Sequence, residues 1–202
     1  MYVIGLTGGV GSGKSYVAQR LSEIYGAKLL IADELAHIVI EKGTSCHKKI
    51  VESFGREILG DCDEIDRKKM ADIIFKDNNA RKKLNDIVHP EVINYIKKYI
   101  DDRKDREGII ILETAIMYES NCDKFCDEVW YVYVPADIRI KRLSDNRGYS
   151  EEKSRAIISK QKDDQFFIEK ADRIIKNDAS FKELEEELKC LKHNTKLEKI
   201  VN

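Results

Sequence analysis

Residues 8–15 read Gly-Gly-Val-Gly-Ser-Gly-Lys-Ser, a complete G-x-x-x-x-G-K-S loop. Such a loop belongs between a strand and a helix, because its glycines turn successive backbone N–H groups onto an anion held at the helix N-terminus. Both neighbours are present here. Val3-Ile4-Gly5-Leu6 reads as a short strand, and Val17, Ala18, Leu21 and Ile24 recur at helical spacing before Gly26, a favoured C-terminal residue. In this setting Gly8, Gly9, Val10, Gly11, Ser12 and Gly13 cradle phosphates. Lys14 reaches the β- and γ-phosphates, and Ser15 offers a hydroxyl to Mg²⁺. Tyr16, the next helical residue, is counted with the nucleotide-binding set. The chain is therefore expected to use a nucleotide together with Mg²⁺.

Beyond the loop, strands and helices alternate, the pattern of an α/β domain with a mostly parallel, five-stranded sheet flanked by helices. The expected strands after the first are Leu29–Ala32, Gly108–Leu112, Val129–Val134 and Arg173–Ile175. About 75 residues between the second and third strands read as helix throughout, too long for a simple crossover. Residues 34–104 are therefore expected to form a helical insertion that binds the substrate within a single domain of residues 1–202. Apolar spacing places its helices at Leu35–Ile40, Ile50–Phe54, Met70–Phe75, Leu84–Val88 and Val92–Ile100, with a break near Pro90. A second, polar insertion runs from Arg139 to Gln161. The last helix opens with the capping box Ser180-x-x-Glu183 and is lined by Phe181, Leu184, Leu188 and Leu191, and the final ten residues read as a solvated tail.

Composition narrows the setting. Lys+Arg number 36 against 37 Asp+Glu, for a net charge of −1, so no global field draws the chain to nucleic acid or to an anionic membrane. No apolar run approaches the ~20 residues of a membrane span. Cys46, Cys62, Cys122, Cys126 and Cys190 are odd in number and form no C-x-x-C pair, so reduced thiols in a cytoplasmic protein are expected. Asp33 directly follows the second strand, at the carboxyl edge where open α/β sheets bind their ligands. A carboxylate there is suited to accept the proton of an acceptor hydroxyl during attack on a γ-phosphoryl group. It is equally suited to cap a helix beginning near Glu34.

Four segments in order, LTGGVGSGKS, IADELAH, LNDIVHPEV and ADRIIKND, resemble the dephospho-coenzyme A kinases over nearly the whole chain. The resemblance implies a P-loop kinase fold with a helical substrate domain and a lid, the lid falling on residues 136–163 of this sequence. It also implies Mg²⁺-assisted transfer of the γ-phosphoryl of ATP to the ribose 3′-hydroxyl of dephospho-coenzyme A, and a monomer or weak homo-oligomer. Carried over to this sequence, it gives Asp33 the role of catalytic base and places His89 and Pro90 in the substrate site. It makes Arg142 the lid arginine that neutralises transition-state charge and sets Asn177 near the ATP adenine. Each of the last residues has a plainer reading: a packed His beside a kinking Pro, and a turn Asn. Arg139, one turn from Arg142, reads either as a helper or as a solvated surface charge, and Gln161 falls on a recurring family position with no role assigned.

The sequence also departs from the family pattern. Thr114 to Glu119 lacks the proline usual after the third strand, Asn146 with Arg147 stands where an arginine is common, and His37 occupies an Arg-or-His position. A nucleoside-monophosphate or shikimate-type kinase, and a non-catalytic ATP-binding module, are the alternatives to the reading drawn from the resemblance. The absence of an N-K-x-D stretch disfavours a GTPase.

Overall fold

The computed structural model describes residues 1–191. The expected solvated tail lies outside those residues. The chain separates into two compact units, one formed by residues 1–31 with the part of the chain from Arg103 onward, the other by Ala32–Asp102.

The first unit is built on a parallel sheet. Its strands are β1 (Tyr2–Gly8), β2 (Lys28–Ile31), β3 (Ile109–Glu113), β4 (Glu128–Tyr133) and β5 (Arg173–Lys176), in the order β2-β3-β1-β4-β5. β1 is central and buried at every position, as a parallel strand covered on both faces must be. On one face Ile4 and Leu6 join Ile109, Ile111, Trp130 and Val132 under two helices, α1 (Lys14–Tyr25) and the last helix of the chain. On the other face Gly5 has no room for a side chain, because a Cβ would come within 2.8 Å of both Cys126 Sγ and Met117 Cε. β1 thus closes against the segment that follows β3.

Strand ends shift by a residue or two from the sequence expectation, and two shifts matter. Ala32 opens a helix instead of ending β2, and β3 extends to Glu113, which sets that carboxylate at the end of the strand beside β1. All five cysteines are free thiols. Burial pushes the thiols of Cys46, Cys122 and Cys126 up, so they stay protonated.

The second unit holds α2 (Ala32–Val39), α3 (Ser45–Phe54), α4 (Arg67–Lys76) and α5 (Asn78–Asp101). It is not helical throughout. Two 3-10 turns, Arg56–Ile58 and Asp61–Asp63, and an antiparallel bridge between Leu59 and Ile65 separate α3 from α4. The expected break at Pro90 does not occur, since α5 runs unbroken through it. Proline removes one ladder hydrogen bond, but α5 packs along α2, α3 and α4, with Val88, Val92 and Ile96 buried, and that burial outweighs the local loss.

The polar stretch after β4 is also helical. It forms α6 (Ala136–Arg147) and α7 (Glu151–Ile158), packed on each other, followed by α8 (Asp164–Lys170). α9 (Phe181–Cys190) starts at the capping box, in which the Ser180 side chain accepts from Glu183 N and the Glu183 carboxylate accepts from Ser180 N at 2.9 Å.

Candidate functional site

The loop between β1 and α1 owes its shape to glycine at two points. Gly11 and Gly13 have φ of +79° and +81°, a region that costs other residues on the order of 1 kcal/mol or more. Gly13 is the residue that leads into α1, so the backbone N–H groups of the first helical turn face the loop. Lys14 folds back over the loop, its Nζ donating to Gly9 O at 3.4 Å.

Side chains from distant parts of the chain hold this loop. Asn177, after β5, is buried and donates through Nδ2 to Ser12 O at 2.8 Å. Its backbone N–H donates to Tyr133 O at 3.0 Å, and a Cβ on Gly13 would come within 2.5 Å of Nδ2. Asn177 is therefore more than a turn residue: it latches β5 to the loop. Arg142 donates to the Asn177 carbonyl at 2.8 Å, and its Nη1 lies 3.8 Å from where a Cβ on Gly13 would sit. Gln161, which had no role from sequence, accepts through Oε1 from Val10 N at 2.9 Å.

Ser15 has a partner that sequence reasoning missed. Its hydroxyl donates to Glu113 Oε2 at 3.2 Å, and Glu113 is only 6% exposed. The signal was present: a carboxylate ends an apolar parallel strand, the same argument that singled out Asp33. Expecting β3 to stop at Leu112 hid it. A buried carboxylate beside a serine hydroxyl is a pair of hard oxygen donors, the set that suits Mg²⁺.

Arg139 is not a solvated surface arginine. It is 5% exposed, with its guanidinium over Gly9, and pairs with Asp164, a residue without any signal in the sequence. Asn146 and Arg147 are exposed at the end of α6. Thr114 is buried, its N–H donating to Leu6 O at 3.0 Å, so the segment without the family proline starts tied to β1.

In the second unit, Asp33 lies in the first turn of α2, with helix already begun at Ala32. It is therefore not the N-cap, and the capping reading is corrected. A carboxylate in that turn still gains from the helix dipole. Asp33 and His37 are exposed one helical turn apart. His89 and Pro90 are exposed on α5, so His89 is not packed in a core. No group of three or more His, Cys, Asp or Glu among the described residues is arranged to hold a metal ion, and Cys126 Sγ donates to Cys122 O at 3.3 Å. No described helix is long and apolar enough to cross a membrane.

The family model for dephospho-CoA kinase matches residues 2–183. A dephospho-CoA kinase of Fusobacterium nucleatum subsp. nucleatum is 36% identical over 182 residues, covering 90% of this chain and 92% of its own length. The solved structure of TT1252 from Thermus thermophilus superposes with a TM-score of 0.74 at 27% identity, over 96% of this chain and 98% of the other. A dephospho-CoA kinase from Campylobacter jejuni superposes at 0.69 with 24% identity, over 96% and 97%, and supports the fold.

Proposed function

This chain belongs to the dephospho-CoA kinase family, and on that premise we propose how its residues carry out the ATP-dependent phosphorylation of dephospho-CoA. The observation that carries the reading is the braced phosphate loop. Its Lys14 lies over the loop, and its Ser15 is bonded to a buried carboxylate at the end of the adjoining strand. A loop already held by Asn177 and Gln161 binds phosphates without first having to be ordered.

The reaction joins the ribose 3′-hydroxyl oxygen of dephospho-CoA to the γ-phosphorus of ATP and breaks the bond from that phosphorus to the β,γ-bridging oxygen. ADP leaves, and the hydroxyl proton is lost. Charge spreads over the phosphoryl oxygens as this happens, and catalysis consists largely of stabilising and aligning them. The N–H groups of Gly8 to Ser15 and the Lys14 ammonium do so from the loop, and Arg142 adds a guanidinium suited to two-pronged contact. Ser15 and Glu113 are the residues that would hold Mg²⁺, which when bound neutralises charge on the β- and γ-phosphates. Asp33 takes the proton. Two positions beyond the last residue of β2, it is exposed, so its carboxylate is open to an acceptor hydroxyl.

Residues 34–104, with His89 and Pro90 on α5, form the substrate-binding insertion in this reading, and residues 136–163 the lid. Asn177 stands near the adenine and Tyr16 beside the nucleotide. The protein works in the cytoplasm as a monomer or weak homo-oligomer, without nucleic-acid or membrane partners. The test is incubation with ATP, Mg²⁺ and separate acceptors, with products identified by mass. A single added phosphoryl group on dephospho-CoA, at the 3′ position by phosphorus NMR, is expected. Phosphorylation of a nucleoside monophosphate or shikimate in its place, or no transfer at all, overturns the reading.

A further inference from the structure

We propose that Asp164 and Tyr131 are positioning residues that fix the Arg139 guanidinium against the phosphate loop, and that this trio sets how tightly the triphosphate is held. The inference rests on reading Gly8 to Ser15 as the ATP site and goes beyond it, because none of the three belongs to the loop motif. Arg139 enters in the first turns of α6 and is 5% exposed. A guanidinium taken out of water without a counter-charge costs several kcal/mol, so its surroundings decide whether burial is tolerable.

Asp164 provides the counter-charge. Arg139 Nη2 donates to its Oδ1 at 3.3 Å and its Oδ2 at 3.5 Å. The carboxylate is itself oriented, because the Tyr131 hydroxyl donates to the same Oδ1 at 2.6 Å. Tyr131 lies in β4 with its ring stacked on Phe167 of α8, centroids 4.9 Å apart and planes 9° from parallel. Burial and the Asp164 bond push the Tyr131 hydroxyl well above its ordinary range, so it remains a donor.

At its other end the guanidinium meets the loop. A Cβ built on Gly9 would overlap Arg139 Nη1, and one built on Gly11 would come within 3.0 Å of the Arg139 carbonyl oxygen. Arg139 Nε is buried with no partner among the described residues. An apolar side chain would fill this space at lower cost, and a solvated ion pair would leave Gly9 alone. A charge forced against an anion-binding loop, oriented by two residues and left with an unused donor, fits a role in holding phosphate. Asp164 and Tyr131 act through Arg139.

The experiment compares Asp164→Asn, Asp164→Glu, Tyr131→Phe, Arg139→Ala and the double variant Arg139→Ala/Asp164→Asn with wild type. Steady-state kinetics, equilibrium ATP binding and thermal melting are measured on each full chain. Asp164→Asn keeps shape and removes charge. It should raise KM for ATP about tenfold, the scale of one lost charge-assisted hydrogen bond, while KM for dephospho-CoA stays within about twofold and kcat within about threefold. Asp164→Glu should recover most of the ATP affinity, Tyr131→Phe should fall between, and the double variant should be no worse than Arg139→Ala alone, as for residues acting as one unit.

Unchanged or tighter ATP binding in Asp164→Asn overturns the proposal. So does a lower melting temperature at wild-type KM for ATP, an equal rise in both KM values, or additive losses in the double variant. Should Arg139→Ala fail to fold, Asp164→Asn and Tyr131→Phe still decide, each being a near-isosteric change. A wild type that binds no ATP sinks the site reading itself, whereas a wild type that binds ATP beside an indifferent Asp164→Asn sinks only this inference.

Discussion

At the scale of single residues, the function proposed above puts the chemistry on two side chains that play different parts. In that reading the Lys14 ammonium follows the developing charge on the transferred group, so its truncation removes transition-state stabilisation. Lys14→Ala should lower kcat by about 10²- to 10³-fold, as deletion of one preorganised donor does, with an unchanged far-UV CD spectrum. Wild-type turnover in that variant would remove the loop from the mechanism. Asp33 is tested by a change that keeps its shape. Because it sits within the first turn of α2 and not at the cap, Asp33→Asn loses a favourable charge–dipole contact of less than about 1 kcal/mol. Phosphoryl transfer should slow by about 10²- to 10⁴-fold through loss of the proton acceptor, while ATP binding persists. An Asp33→Asn protein that is fully active but melts earlier would make the residue structural.

At the scale of elements, α5 is the instructive case. Its spacing of apolar residues on both sides of Pro90 is helical, yet proline lacks the N–H that would bond to the carbonyl of Asp86 and its ring crowds that carbonyl. Reading the proline as a break gives weight to a local cost and none to the partners of the helix. Since Pro90 is exposed, its replacement sacrifices no core packing. Pro90→Ala should therefore stabilise the unit formed by Ala32–Asp102, by up to about 3 kcal/mol, seen as slower amide hydrogen exchange along α5. Faster exchange there would mean that the ring itself makes contacts the helix needs. The capping box of α9 went the other way: Ser180 and Glu183 are three residues apart, so the whole device was readable from the sequence.

At the scale of the whole molecule, the insertion proposed to bind the acceptor is larger than a small acceptor requires, and dephospho-CoA is a long one. Binding energy from parts of a substrate remote from the reacting hydroxyl can be spent on aligning it, so truncated acceptors should lose kcat as well as affinity. We expect kcat/KM for dephospho-CoA to exceed that for adenosine, AMP or shikimate by at least ~10³, or about 4 kcal/mol of transition-state binding. A competition assay with all four acceptors checks this, and comparable turnover of any small one would show that the insertion does not select by length. The single tryptophan gives a folding readout of one unit alone: Trp130 is fully buried in β4 and belongs to the sheet unit, so its fluorescence follows that unit.

The sequence by itself determined the features whose physics is local. G-x-x-x-x-G-K-S demanded a strand, a tight turn and a helix, because left-handed backbone at Gly11 and Gly13 and a first helical turn of open N–H groups follow from a few adjacent residues. Alternating strand and helix patterns settled the α/β class, and ordered motifs along the chain pointed to the family. Only the tertiary structure decided what holds the loop. Ser15 meets Glu113 across 98 residues of chain, and Asn177 meets Ser12 across 165. The cause is the strand order, which sets β1 between β3 and β4 and β5 beyond β4, so that strand ends far apart in sequence converge on one edge. No periodicity or spacing encodes that order, and Arg139 shows the consequence: a charge on a polar helix looks solvated until the fold closes Gly9, Tyr131 and Asp164 around it.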